Sequence, residues 1–334
     1  MNFTINTTYK SAGTDVLNVL VQKLKNAGFK VSSNDSNYSE YDVSIFMAPD
    51  SKVREAKAKN PKLFCIIFDP KISLFWQLEE NRAADLLIVS SIEQRDYLLK
   101  YNKNIFIYYM FPETRETKKE HKDKEKIIIG YHGNKQHLSA MSDVSWALDE
   151  LAKKYPIEFW PVYNIEKLGK WSKNHPKVCP VNHVQWSREV VERELSKCDI
   201  GVVPSVLPVS KPLSRPLLSY IWNPLGYRSE DYIQRFKFSN NPGRIYVFSQ
   251  LHIPVVTDFT PSSCQLIKNG ESGFLVGTKE SWYHALESFI LDSKLRNSCV
   301  ENLAKEIDKI SPERTFERFL SLITKMYGHG NQKQ

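Results

Sequence analysis

The chain has 334 residues, 41% of them hydrophobic and 25% charged, enough for two ordinary domains with cores of their own. Lysine and arginine outnumber aspartate and glutamate 46 to 38, a formal net charge of +8 that favours anionic partners such as nucleotides, lipid head groups, glycans or nucleic acid. No apolar run approaches a membrane span, the first residues lack a basic-then-apolar signal pattern, and the five cysteines show neither disulfide nor C-x-x-C spacing, so a soluble cytoplasmic chain with buried thiols is expected.

The first third alternates between strand and helix patterns. Strands are predicted at 2–7, 30–32, 42–48, 63–68, 86–89 and 105–108. Helices are predicted at 13–27, 51–60, 72–82 and 93–101. Gly28, Pro49 and Pro61 punctuate them. Such alternation predicts a parallel α/β sheet with right-handed crossovers. The run from Glu113 to Lys126 is polar, dense in charge and aperiodic, and reads as a linker between domains. Acidic residues interrupt its lysines, which argues against a nucleic-acid arm.

The alternation restarts with the IIIGY strand at 127–131, which leads into His132, Gly133, Asn134 and Lys135. A helix at 141–154, a strand at 157–161, short strands at 178–179 and 184–186, and a helix from Ser187 to Cys198 follow. The strand DIGVV ends at Pro204-Ser205. The segment 206–240 then carries four prolines, several basic residues and many aromatics, and a loop of that length is a candidate functional segment. Asn241 is a good N-cap with Pro242 at the first helical position and Gly243 and Arg244 in the first turn. Free N–H groups, a dipole end and a guanidinium at one point suit an anion, most simply a phosphate, although a plain capped helix with an exposed arginine is the other reading. The strand at 253–256, a short helix, a strand near 276, and helices at 281–291, 297–310 and from 311 onward complete the chain.

Two doubly wound domains place ligands outside the carboxyl ends of their strands. Three pieces sit at predicted strand ends of the second domain: His132 to Lys135, Pro204-Ser205, and the start of the helix at Asn241. One site built from these loops, rich in N–H donors and cations, is the expectation.

The segments LSKCDIGVVPS (195–205), NPGRIYVFSQLHIPVV (241–256) and SSCQLIKNGESGFLV (262–276) resemble the donor-binding half of GT-B glycosyltransferases, in particular the retaining, family-4-like group. IIIGYHGN (127–134) and DLLIVSSIEQRDYLL (85–99) extend the resemblance over most of the chain, with the last third the most similar. It implies two Rossmann-like α/β domains facing across a cleft, with the C-terminal helix packing back on the N-terminal domain. The expected division is 1–115, an acceptor domain; 116–126, the linker; 127–310, the nucleotide-sugar domain; and 311–334, the final helix and tail.

The resemblance further implies a transferase that uses a nucleotide-sugar and needs no metal or other cofactor. Lys135 and Arg244, with Lys237 as a third cation, would stabilise the departing diphosphate. Gly133, Asn134, Ser205, Asn241 and Gly243 would line the donor site, Asp258 would bond sugar hydroxyls, and His132 either contacts the donor sugar or caps its strand. Two readings stand open for Trp186, a platform for the base or a core tryptophan. Two also stand for Asp69, an acceptor-positioning carboxylate (the base, in an inverting variant) or a turn residue before Pro70. Lys135 is either a phosphate ligand or a solvated lysine. The acceptor would be a glycan or glycolipid, and the positive charge fits peripheral contact with an anionic membrane.

The sequence also departs from the family. The glutamate that holds ribose aligns with Val247, the glycine before Ile-Pro-Val is His252, and the glutamate after that strand is Gln265. A donor with fewer ribose contacts, such as a deoxyribose nucleotide, or a degenerate sugar-nucleotide-binding protein without turnover, are the alternatives these departures raise.

Overall fold

The computed structural model describes residues 1–8, 12–109, 111–112, 114–115, 117–205, 236 and 241–331. It divides into two compact units. One comprises Met1–Arg115, Phe238–Gln250 and Ala304–Gln334, and the other Glu116–Lys237 and Leu251–Leu303.

The first unit is built on one parallel sheet. Strands β1 (Asn2–Asn6), β2 (Lys30–Ser33), β3 (Val43–Met47), β4 (Phe64–Phe68), β5 (Leu86–Val89) and β6 (Ile105–Ile107) run in the order β2-β1-β3-β4-β5-β6. Helices α1 (Ala12–Asn26), α2 (Val53–Lys59), α3 (Phe75–Ala83) and α4 (Ile92–Leu98) connect them. The runs VSIFM, FCIIF and LLIV are buried at every position, as strands covered on both faces must be. The C-terminal helix packs on this same core: Phe319 and Ile323 are buried against residues of β1, β3, β4 and β5. Tyr327 further along that helix donates its hydroxyl to Asp42 at 2.6 Å.

The second unit carries β7 (Ile127–His132), β8 (Ile157–Tyr163), β9 (Val184–Gln185), β10 (Ile200–Val203), β11 (Val255–Asp258) and β12 (Phe274–Val276), in the order β12-β11-β10-β7-β8-β9. All of its strand pairs are parallel. Helices α5 (Lys135–Ala140), α6 (Ser142–Ala152), α7 (Ile165–Leu168) and α8 (Arg188–Leu195) belong to this unit, and α9 (Gly243–Gln250), next in the chain, to the first. Then come α10 (Pro261–Leu266), α11 (Lys279–Leu291), α12 (Ser293–Asp308) and α13 (Pro312–Asn331), the C-terminal helix described above. From β7 the sheet grows outward through β8 and β9, and from β10 through β11 and β12 in the other direction. The strand order therefore reverses between β7 and β10, the switch point where ligands bind in open α/β sheets.

One local device recurs in both units. An aspartate just before a buried strand exchanges two hydrogen bonds with the first residue of the neighbouring strand or the one after it. Asp42 N–H donates to Asn2 O, and Asn2 N–H donates back to the Asp42 carboxylate at 2.7 Å. Asp85 makes the same exchange with Cys65 and Asp199 with Ile128. These aspartates fix register at the amino edges of the sheets.

One expectation needs correction. No strand forms at 178–179; the backbone N–H groups there turn onto the Asp149 carboxylate instead, and the bridge to β8 is made by Val181 with Phe159. Within the second unit, side chains of the charged run 117–126 pair with buried groups. Lys124 pairs with buried Asp199 at 2.6 Å, and Lys119 lies 3.5 Å from the same carboxylate. Arg296, fully buried, donates to the Lys122 carbonyl at 2.8 Å. His121 is 3% exposed, its Nε2–H aimed at the His252 carbonyl 2.8 Å away.

Burial pushes the His121 imidazole down to about 4, partly opposed by that hydrogen bond. The unfolded chain takes up this proton near pH 6.5, the folded chain only near 4. Stability is therefore constant above the upper value and is lost as pH falls through that window. The melting temperature is expected to decline between pH 6.5 and 4 and to decline less in His121→Gln, which keeps a donor for the His252 carbonyl. Parallel melting curves for the two proteins would contradict this assignment.

Candidate functional site

The carboxyl edge of the second sheet assembles the first two predicted pieces. β7 ends at His132, which is half-buried and in register with Val162 of β8. Gly133 follows at φ +142°, a conformation open to glycine and strained for other residues, and its N–H donates to Val162 O at 3.2 Å. Asn134 caps α5, its side chain accepting Gln136 N–H at 2.9 Å. The buried Tyr131 ring pins the turn from below, its hydroxyl donating to Asn134 O at 2.8 Å. Lys135 is the first residue of α5, and its ammonium donates to the Leu168 carbonyl, the last of α7, at 2.5 Å.

Beside β7, β10 ends at Val203, and Pro204-Ser205 continues from its carboxyl end. Ser205 is buried, and its N–H donates to Asp258 Oδ2 at 2.6 Å. Asp258 ends β11, so this carboxylate ties two neighbouring strand ends together. Next to it a buried hydroxyl cluster closes the start of α10. Thr257 lies 3.2 Å from Ser263 Oγ, which also accepts from Thr260 at 2.8 Å. Trp186 follows β9 on the same edge, held by its N–H to Tyr163 O at 2.9 Å. At 46% exposure it is not a core tryptophan.

The third predicted piece belongs to the first unit, contrary to expectation. Asn241 and Arg244 are half-buried and Gly243 is buried at the start of α9. The reason is aromatic packing: Tyr246 stacks on Phe111 with centroids 4.2 Å apart and planes within 3°, and Phe111 stacks in turn on Tyr109. Val247, where the family has its ribose glutamate, is 3% exposed and packs as a core residue. Asp69 also lies in this unit, directly after β4. Its φ is +55°, and its carboxylate accepts from the Lys71 ammonium at 2.6 Å. Lys237 and most of the proline-rich segment lie outside the described residues.

Sequence reasoning passed over two groups at the carboxyl edge of the second sheet. The hydroxyl cluster was legible in the Thr260-Pro261 pair, a helix cap followed by proline. Tyr163, His175 and His183 had no sequence signal, because they meet only through the fold of the loop before β9.

No family model matches the sequence, and no curated protein does. Solved structures do match in three dimensions. A sucrose-phosphate synthase from Thermosynechococcus elongatus superposes with a TM-score of 0.61 at 12% identity, over 98% of this chain and 100% of that one. Anabaena HepE, in complex with UDP and glucose, gives 0.61 at 11% identity over 97% and 100%. S. aureus TarM, in complex with UDP and two sugar ligands, gives 0.58 at 13% identity over 91% of this chain and 58% of that one. At such identities the likeness is one of fold: the chain has two Rossmann-like domains of the GT-B type.

Proposed function

We propose that the protein is a glycosyltransferase that moves a sugar from a nucleotide-activated donor to a glycan or glycolipid acceptor, with retention and without a metal ion. One observation carries the reading. At the switch point of the second sheet a glycine turn, an asparagine-capped helix and a lysine follow β7, the strand beside the Pro204-Ser205 end of β10. Departure of the sugar builds negative charge on a nucleoside diphosphate. Preorganised N–H groups and a cation stabilise that charge in the transition state more than in the ground state.

In this reading the Gly133-Asn134 turn faces the diphosphate and Lys135 neutralises it. Trp186, exposed on the same edge, stacks on the base, and His132 contacts the sugar. Asp258 acts at one remove, by fixing Ser205. Arg244 and Lys237 are further candidate cations, supported by the resemblance alone. HepE and TarM are solved with UDP, which makes UDP the first nucleotide to test here.

A thermal-shift series with UDP, GDP, dTDP, ADP and CMP, each alone and as its sugar conjugate, tests the proposal. UDP or one other nucleotide is expected to raise the melting temperature, and Trp186→Ala to weaken that ligand about tenfold, the worth of one base stacked on an aromatic ring. No stabilisation by any of them would end the reading. Product anomers resolved by NMR, and an assay in the presence of EDTA, test retention and metal independence.

The buried Val247 favours one second reading, a sugar-nucleotide-binding protein without turnover. Donor cleavage measured with and without acceptor separates the two. Among the described residues no helix is long and apolar enough to cross a membrane. The net charge of +8 supports loose contact with an anionic bilayer, read out by co-sedimentation with phosphatidylserine vesicles.

A further inference from the structure

Tyr163 ends β8 one residue beyond the Val162 that receives the Gly133 N–H. Its side chain is fully buried, and its hydroxyl accepts Trp171 N–H at 2.8 Å. The same hydroxyl lies 2.9 Å from His183 Nδ1. His183 Nε2 is 3.2 Å from His175 Nε2, and His175 Nδ1 is 2.6 Å from the Pro176 carbonyl.

With both rings neutral, one proton arrangement satisfies every link. A carbonyl only accepts, so His175 Nδ1 carries the hydrogen, and a neutral His175 presents a bare Nε2. His183 Nε2 must then be the donor between the rings. That leaves His183 Nδ1 bare, and the Tyr163 O–H donates to it. A proton added to His183 Nδ1 would take the acceptor from Tyr163. Burial, reinforced by the charge of Lys170, pushes His183 down to about 4, so its Nδ1 remains an acceptor for Tyr163 at neutral pH.

The segment this chain holds leads to both donor-side groups of the sheet edge. Gln185 Oε1 accepts the N–H groups of Ile165 and Glu166 at the start of α7. The last carbonyl of α7, on Leu168, receives Lys135. Trp186 hangs from the Tyr163 carbonyl. The outer part of the loop is anchored separately, by Asp149 of α6 to the N–H groups of Lys177, Val178 and Cys179, and by Asn174 to Ser139 O.

We propose that Tyr163, His183 and His175 are positioning residues for nucleotide binding: their hydrogen-bonded chain sets where the Leu168 carbonyl and Trp186 stand, and through them the Lys135 ammonium and the base platform. This rests on reading the second unit as the nucleotide-sugar unit.

The test is UDP titration by calorimetry at pH 7.5 and 25 °C on the full chain, with melting curves alongside. His175→Leu removes the acceptor of the His183 N–H and is expected to weaken UDP about tenfold, the worth of one hydrogen bond, in protein that is still folded at 25 °C. His175→Gln offers an amide oxygen in its place and is expected to recover most of the affinity. Should His175→Leu fail to fold, Tyr163→Phe, which deletes only the hydroxyl, carries the same expectation.

A merely structural role would lower the melting temperature and leave the affinity of the folded protein alone. That result, or equal weakening by the Leu and Gln variants, overturns the inference. Lys135→Ala is the control for the reading beneath it. If Lys135→Ala weakens UDP while His175→Leu and Tyr163→Phe do not, the positioning claim fails alone. If the wild type binds none of UDP, GDP, dTDP, ADP and CMP, or Lys135→Ala binds the nucleotide unchanged, the nucleotide reading fails at this site and the inference goes with it.

Discussion

Lys135→Ala is expected to slow sugar transfer by a factor on the order of 10²–10³ and to leave the fold intact. The lysine opens α5, directly after a turn that requires glycine and a cap that requires a short polar side chain. Its ammonium carries three donors. One is used on the Leu168 carbonyl, which holds the side chain near the turn. A phosphate oxygen arriving at the turn would meet a cation already ordered, so little of the interaction is lost in fixing a flexible chain. In the transition state, where charge on the leaving group peaks, that cation counts most.

The structural cost of the change is one bond at the end of a four-residue helix, about 1 kcal/mol. Initial rates with the nucleotide-sugar found by the thermal-shift series, set beside melting curves, check both halves of the expectation. Lys135→Arg keeps the charge but presents a planar fork in place of a point charge, and should fall between the two. Full activity in the alanine variant would move the leaving-group cation elsewhere, with Arg244 the next to test.

Much of the fold was legible because its strands are buried on both faces. FCIIF, LLIV and IGVV each stand out as apolar runs bounded by polar residues or proline, and each forms the strand that the pattern predicts. The order of the strands was not legible, since periodicity carries no information about neighbours. One signal went unused. Asp42, Asp85 and Asp199 all precede such runs, and the structure shows why: each pairs with the backbone of the adjoining strand. Asp85 and Asp199, which stand in segments that carry the family resemblance, are thus marks of sheet construction and lie away from the carboxyl edges where chemistry is expected.

The candidate site was legible in proportion to how local its geometry is. Gly133, Asn134 and Lys135 are consecutive, so the turn and cap could be read from residue types alone. The position of α9 could not, because it depends on Tyr246 meeting Phe111 across a wide gap in sequence. Trp186 was ambiguous for a related reason: a tryptophan after a short strand is buried or open according to what the next layer covers. The His183–His175 pair illustrates the limit, since neither histidine has a motif and the significance of each lies in the partner that the loop supplies.

Asp199→Ala is expected to cost about 3–5 kcal/mol of stability, the range for removing one partner of a buried ion pair. The carboxylate is 1% exposed. It accepts the Ile128 N–H at 3.1 Å and pairs with Lys124 at 2.6 Å and Lys119 at 3.5 Å. Lys119 is largely enclosed, and desolvation lowers its proton affinity while Asp199 opposes that shift. Without the aspartate the Lys119 ammonium keeps the Ser196 and Cys198 carbonyls but no counter-charge. The N–H of Ile128 also loses its acceptor, at the start of the strand that carries the glycine turn. In a two-state melt of a domain this size the loss amounts to roughly 2–4 °C per kcal/mol.

Asp199→Asn should cost less than Asp199→Ala, because an amide oxygen still receives the Ile128 N–H. Adding Lys119→Met to Asp199→Ala should return part of the loss, since the stranded charge is then gone. At 25 °C, UDP affinity of the folded Asp199→Ala protein should match that of the wild type. Asp199 stands at the amino end of β10, while Ser205 and the turn lie beyond the carboxyl ends of β10 and β7. A large change in affinity with little change in melting temperature would place Asp199 in the site and undo its assignment as a register clamp.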